Sequence, residues 1–242
     1  MNWLEVTYQP TTLFSLKPSW ATSTGGKSLL LPTPYALKMA LLDAAIRTSG
    51  LKIGEAAWAW LSKLEISIDL PEQIVVTNLF TKILRMKEIK SKASEKPKAI
   101  AKAKMQGQWP FQKTIGYREY VYYPAPIRLA FGFAESKQHA QLVDWLIQIN
   151  YLGKRGGFVQ LMGLPTPRDD DEGFVRLTQS QDEIPTKGLI QQLDDCGAKM
   201  LFAHANIYDK KSTKRVVRHV VLPYGLVQSS KSYSLYQRLE TN

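Results

Sequence analysis

Two short stretches carry the residue types best suited to holding a polyanion. In YREYVYYPAPIRLAF (Tyr117–Phe131), Arg118, Tyr120, Tyr122 and Arg128 fall on even positions, while Tyr117, Val121, Ile127, Leu129 and Phe131 fall on odd ones. That alternation is a strand with one face for the core and one for solvent or ligand. A guanidinium forks onto a phosphate, and a phenol ring stacking on a base is worth about 1–3 kcal/mol. Tyrosines also fit a half-buried pleat, so Tyr120 and Tyr122 read equally as core residues or as ligand contacts. The second stretch, GKRGG (Gly153–Gly157), sets Lys154 and Arg155 among three glycines. Glycine lets backbone approach a phosphate closely; the plainer reading is a helix stop followed by a solvated loop.

Charge points the same way. Between Lys82 and Lys113 stand nine Lys and one Arg against Glu88 and Glu95, so this segment supplies eight of the eleven net positive charges of the 242-residue chain. Lys102, Lys104, Trp109 and Lys113 are its candidate contacts, with Lys27 in an earlier loop. A basic arm on a nearly neutral body grips a polyanion by releasing condensed counterions; the alternative is a solvated loop with no ligand. A pI of about 9.6 places nucleic acid first among partner classes and an anionic membrane surface second.

Catalytic chemistry has less support. STGGKS (Ser23–Ser28) invites comparison with a phosphate-binding P-loop, but the first glycine of that motif would fall on Ala21. His139, His204 and His219 have no partner at metal-ligand spacing, and the lone Cys196 excludes an internal disulfide and a cysteine-based zinc site. Metal-independent RNA cleavage needs a general acid and base around a 2′-hydroxyl; Tyr35, Lys113 and His219 form such a set only if the fold gathers them. Asp169–Glu172 and Asp194–Asp195 read first as surface-loop acids. No catalytic residue, metal site or cofactor is assigned.

The elements that must position these residues follow from periodicity. A first strand covers Trp3–Tyr8. A loop of about twenty residues, rich in Thr, Ser, Gly and Pro, then runs to Thr33-Pro34, the N-cap and first position of a helix with Leu37, Ala40, Leu41, Ala44 and Ala45 on one face and Gly50 as its stop. A second helix carries Trp58 and Leu61, EISIDL alternates as a strand, and QIVVTNLFTKIL leads into the basic segment, where Ala99–Met105 suits a turn or two of helix. SKQHAQLVDWLIQINYLG reads as an amphipathic helix capped by Ser136, with Ala140, Val143, Leu146, Ile147 and Ile149 buried. The stretch from Phe174 to Gln192 is weakly patterned, and AHANIYD, KRVVRHVVLPYGLV and SYSLYQRL suggest two or three further strands. No apolar run reaches the roughly 18 residues of a membrane span, and the N-terminus lacks the pattern of a secretory signal, so a reducing, cytoplasmic setting without a membrane partner is expected. The order describes an α+β protein of the split βαβ, ferredoxin-like (RRM/RAMP) type with an inserted basic thumb and extra C-terminal strands, whose open sheet face and end loops suit single-stranded RNA.

Three motifs in this order, LPTPYALKMALLDAA, YREYVYYPAPIRLAF and INYLGKRGG, resemble the fifth Cas subunit family, the crRNA 5′-handle-binding member of type I CRISPR effector complexes (Cascade). They span roughly residues 28–160. The resemblance implies a single RAMP-type domain over 1–242, with a thumb at about 82–115 and a C-terminal β extension at about 198–242. It implies that the thumb lies over guide RNA near a backbone subunit, while the body holds the 5′ handle and contacts the large subunit, with target DNA nearby. Carried over residue by residue, Arg118 and Tyr120 of the REY strand and Lys154 and Arg155 of the LGKR turn become handle contacts. The family turn more often has Arg where Lys154 stands. One branch of the family cleaves precursor RNA with Tyr, Lys and His near the REY strand, yet no histidine precedes His139 here.

Overall fold

A computed structural model describes residues 1–18, 25–179, 187–206 and 214–240. Strand β1 (Asn2–Pro10) buries Leu4, Val6 and Tyr8 on one face. After the first loop, which contributes the two-residue β2 (Gly25–Gly26), α1 (Pro34–Ser49) begins as expected: Thr33 Oγ1 accepts the Ala36 amide at 3.1 Å and Pro34 takes the first position. Thr33→Ala is expected to cost about 1 kcal/mol of stability, read as a lower urea midpoint. Gly50 closes α1 at φ 89°, and α2 (Leu51–Leu61) follows directly, burying Trp58 and Leu61.

Strand β3 (Glu65–Asp69) is separated by Pro71 from β4 (Gln73–Met86), a 14-residue strand. Helix α3 (Lys96–Met105) and β5 (Phe111–Tyr122) complete the basic segment, in which the helical turn or two read from the sequence lengthens to ten residues with only Ala103 buried. Pro124 and Pro126 then break the run, and β6 (Ile127–Phe133) starts a different sheet. In α4 (Gln138–Leu146) the buried stripe is Gln138, Leu142, Trp145 and Leu146, continuing to Ile149. This corrects the stripe through Ala140 and Val143: the helix is rotated so that Trp145 stacks on Trp60 of α2 at 5.6 Å. Ser136 does not cap through its side chain; its carbonyl accepts the His139 amide at 3.1 Å. Short strands β7 (Val159–Leu161), β8 (Thr166–Arg168) and β9 (Val175–Arg176) precede β10 (Leu189–Cys196) and β11 (Arg215–Leu222), and β12 (Tyr224–Ser229) and β13 (Tyr233–Arg238) end the described chain. AHANIYD is not a strand where it is described: Phe202–Ala205 is a 3-10 turn, and Ile207–Asp209 lie outside the described residues.

The main sheet has the order β7-β1-β6-β3-β9, with β8 also paired to β1. Within it β1, β6, β3 and β7 are mutually antiparallel neighbours, β6 lying between β1 and β3. Helix α1 packs against α2, α4 and β10, and Tyr8 donates its hydroxyl hydrogen to the Leu146 carbonyl at 2.7 Å, tying the sheet to α4. The opposite face, expected to be open, is occupied by the chain itself. Arg128 pairs with Asp69 at 2.6 Å, Arg168 with Glu5 at 2.7 Å, and Asp171 with Arg176. The guanidinium carbons of Arg128 and Arg168 lie 5.0 and 4.4 Å from the centre of the Phe174 ring. Residues 166–176, read from the sequence as an acidic loop running into a weakly patterned stretch, thus close the face that an RRM-type protein would leave for RNA.

A second sheet has the order β12-β13-β4-β5-β2, so the C-terminal hairpin joins the base of the long β4–β5 ribbon. A separate hairpin, β10–β11, lies against α1. It corrects the reading of Asp194 and Asp195 as loop acids: both are strand residues and buried. Lys38 Nζ meets Asp195 Oδ1 at 2.7 Å with both side chains 2% exposed, and Cys196 donates its amide to the same carboxylate oxygen.

Candidate nucleic-acid interface

Three segments distant in sequence meet beside β5. Phe14 exchanges two backbone hydrogen bonds with Val121, at 2.8 and 2.7 Å, which lays the first loop along the edge of β5. Ser28 donates its amide to Glu119 Oε2 at 2.7 Å, and Gly25 and Gly26 pair with Tyr117 and Arg118, bringing exposed Lys27 to the same edge. On its other side the loop holds the GKRGG turn: Thr12 Oγ1 donates to the Gly156 carbonyl at 2.6 Å and accepts the Phe158 amide at 2.9 Å. Gly153 needs its glycine for φ 74°. A Cβ on Gly157 would sit 2.8 Å from the Leu152 carbonyl and 3.0 Å from the Phe14 ring. Glycine here serves tight packing of the turn on the loop, and the turn presents Lys154 and Arg155 outward, both exposed.

The electrostatics record the convergence. Partial burial, followed by the positive charges of Arg118 and Lys17, holds the Lys154 ammonium below the ordinary lysine range; its Nζ reaches the neutral Ser15 hydroxyl, at 3.4 Å. Among the described residues no carboxylate pairs with Lys17, Lys27, Arg118, Lys154 or Arg155. The other arginines show how unusual this is. Arg47, Arg128, Arg168, Arg176, Arg215, Arg218 and Arg238 are each ion-paired, which leaves Arg85, Arg118 and Arg155, all in segments singled out from sequence, without a carboxylate partner among the described residues. Self-repelling cations held at one place by backbone hydrogen bonds are stabilised by an anion placed among them.

The ribbon carries the rest of the charge. Its register runs without a break from Val75↔Tyr122 to Met86↔Phe111, and Lys102, Lys104 and Lys113 are exposed while Trp109 is half-buried near the tip. Opposed residues share a face, so Phe80, Lys82, Leu84 and Met86 line up with Tyr117, Ile115, Lys113 and Phe111 as an exposed apolar stripe interrupted by two lysines. On the other face Arg118, Tyr120 and Tyr122 follow one another along β5, with Tyr122 46% exposed and Tyr120 half-buried; neither is a core residue. Arg128, their expected neighbour in the alternation, is in the main sheet and is consumed by Asp69 and Glu5.

No family model matches the chain. The CRISPR-associated protein Cas5 of Archaeoglobus fulgidus is 24% identical over 243 residues, covering 98% of this chain and 99% of the relative. The chain is similar to this Cas5 along nearly its whole length. Among solved structures, a CRISPR protein from Archaeoglobus fulgidus aligns with 98% of the chain and 92% of its own length at 14% identity and a TM-score of 0.39, and a chain of a CRISPR RNA-guided surveillance complex with 99% and 91% at 14% and 0.44.

In this Cas5-like chain Tyr35, Lys113 and His219 are dispersed. Tyr35 is buried beneath Arg215, whose guanidinium carbon is 3.8 Å from the ring centre, and burial raises its phenol pKa more than that cation lowers it. His219 stands opposite Gln192, four strand residues from Arg215 or roughly 13 Å along β11. Lys113 lies far out on the ribbon opposite Leu84. Burial pushes the Cys196 thiol up to about 11, away from a reactive thiolate. No group of three or more His, Cys, Asp or Glu suited to a metal occurs among the described residues. Ser23 and Thr24 of STGGKS lie outside them, and no described helix is long and apolar enough to cross a membrane. Lys17 is the member of this cation cluster that the sequence did not single out; its local signal is its place after Phe14 and Leu16, which are buried while Lys17 is exposed.

Proposed function

We propose that this protein is a non-catalytic RNA-binding subunit of a type I CRISPR effector complex that holds the 5′ handle of the guide RNA and nucleates assembly with the backbone and large subunits for RNA-guided DNA targeting in the cytoplasm. The observation that carries the reading is the convergence of Arg118, Lys154 and Lys17 from three segments without a neutralising carboxylate, in a chain homologous to Cas5 along its length. The antiparallel order β7-β1-β6-β3, with α1 following β1 and α4 following β6, supports a ferredoxin-like RAMP body. In this reading the ribbon is the thumb, gripping backbone phosphates, and the strand and turn recognise the handle.

The test is binding of purified protein to guide RNA with a native or a scrambled 5′ handle, in EDTA. Arg155→Ala is expected to weaken native-handle binding by roughly tenfold, the scale of one charge-assisted contact of about 1.5–3 kcal/mol, with the RNA left intact. Equal affinity for the scrambled handle would remove the handle-specific part of the reading. RNA cleavage abolished by His219→Ala would replace a scaffold with a metal-independent endoribonuclease.

A further inference from the structure

The REY strand does not end its face alone. Thr77 lies between Tyr120 on β5 and Tyr233 on β13, and Val75 lies between Tyr122 and Leu235. Directly opposed residues point to the same side of a sheet, so Tyr120, Tyr122 and Tyr233 share one face across three strands. Tyr233, Leu235, Val75 and Thr77 are all only half-buried. Tyr233 and Tyr120 are two strand spacings apart, about 9.5 Å, with the short side chain of Thr77 between them. An aromatic residue thus stands on each side of a short one on that face.

Charge selects its occupant. Arg118 continues the face two residues beyond Tyr120, and exposed Lys231 stands in the turn before Tyr233, so cations bracket the aromatic row. Gln73, Gln237, Gln228 and Leu79 share the face, and among the described residues no carboxylate of β4, β5, β12 or β13 has its parity; Glu119 has the opposite parity and is bound to Ser28. The turn is fixed in advance: the Asn78 amide donates to the Ser232 carbonyl at 2.7 Å and its side chain to the Lys231 carbonyl at 3.1 Å, while Tyr233 donates its amide to Ser230 Oγ. Aromatic rings in a row flanked by cations and free of acids are the composition of a single-strand platform.

We infer that the RNA-binding surface crosses β4 onto the C-terminal hairpin, where Tyr233 stacks on a base of the bound strand and Lys231 holds its phosphate. The inference rests on the RNA-binding reading above and assigns the C-terminal strands a part in it.

The full chain, Tyr233→Ala, Tyr233→Phe and Arg155→Ala are titrated with a labelled single-stranded RNA of about ten nucleotides over a range of salt. Tyr233→Ala is expected to lower affinity by roughly 5- to 100-fold with the salt slope unchanged, because a stacking ring releases no counterion, and Tyr233→Phe to bind like the wild type. Wild-type affinity in Tyr233→Ala beside a loss in Arg155→Ala overturns the inference and leaves the RNA-binding reading standing. An equal loss in Tyr233→Phe, with a lowered melting temperature, makes the position structural and overturns it too. Absence of RNA binding by the wild type removes the reading on which it rests. Unchanged RNA affinity with lost capture of a partner subunit would make the face a protein dock instead.

Discussion

Asp195→Ala is expected to lower the free energy of unfolding by about 3–5 kcal/mol, because it leaves the Lys38 ammonium uncompensated inside the protein. Among the described residues Lys38 Nζ meets Asp195 Oδ1 at 2.7 Å and the Ser62 carbonyl at 3.0 Å, and of these the carboxylate carries the opposite charge. The pair joins α1 to β10, so its loss also loosens the β10–β11 hairpin from the body. Lys38→Met with Asp195→Leu is expected to recover most of the loss, since replacing a whole buried pair by apolar groups of similar volume is often neutral. Urea unfolding of the two variants decides it. A loss below about 1 kcal/mol in Asp195→Ala would mean that the pair is hydrated and behaves as a surface bridge.

Replacing residues 87–110 by Asn-Gly is expected to separate grip from fold. Met86 and Phe111 are opposed at the end of the regular ladder, so a two-residue turn can close the ribbon there. The excision removes seven Lys and two Glu and takes the net charge from +11 to +6. Only Ala103 of the excised residues is buried, so the thermal midpoint should move little. Single-stranded RNA affinity should fall by at least roughly tenfold, and the plot of log affinity against log salt should flatten by about 0.7 for each lysine that had neutralised a phosphate. An unchanged slope would show that residues 87–110 touch no phosphate.

What was legible in the sequence was local. Thr33-Pro34 and Gly50 bound α1 because caps and φ preferences act over a few residues, and the alternation in Tyr117–Phe131 placed Val121, Ile127, Leu129 and Phe131 inside. The α4 stripe was rotated because Ala140 and Val143 satisfy helical period as well as Leu142 and Trp145 do; the stacking of Trp145 on Trp60 decides between them. Asp194 and Asp195 read as loop acids because adjacent acids look solvated until a lysine 157 residues away in sequence is brought to one of them.

The basic arm, the Arg-Tyr strand and the glycine-set basic turn can be read from the residues alone, since charge content and alternation do not depend on what they pack against. Tertiary structure decided which cations are free to bind. Arg128 and Arg118 sit on the same parity of one continuous run, yet Pro124 and Pro126 send Arg128 into the main sheet, where Asp69 and Glu5 neutralise it. Arg118 stays beside the first loop and the GKRGG turn, among other cations. An ion pair between residues far apart in sequence leaves no local trace, and only the folded chain distinguishes a spent guanidinium from one still able to take a phosphate.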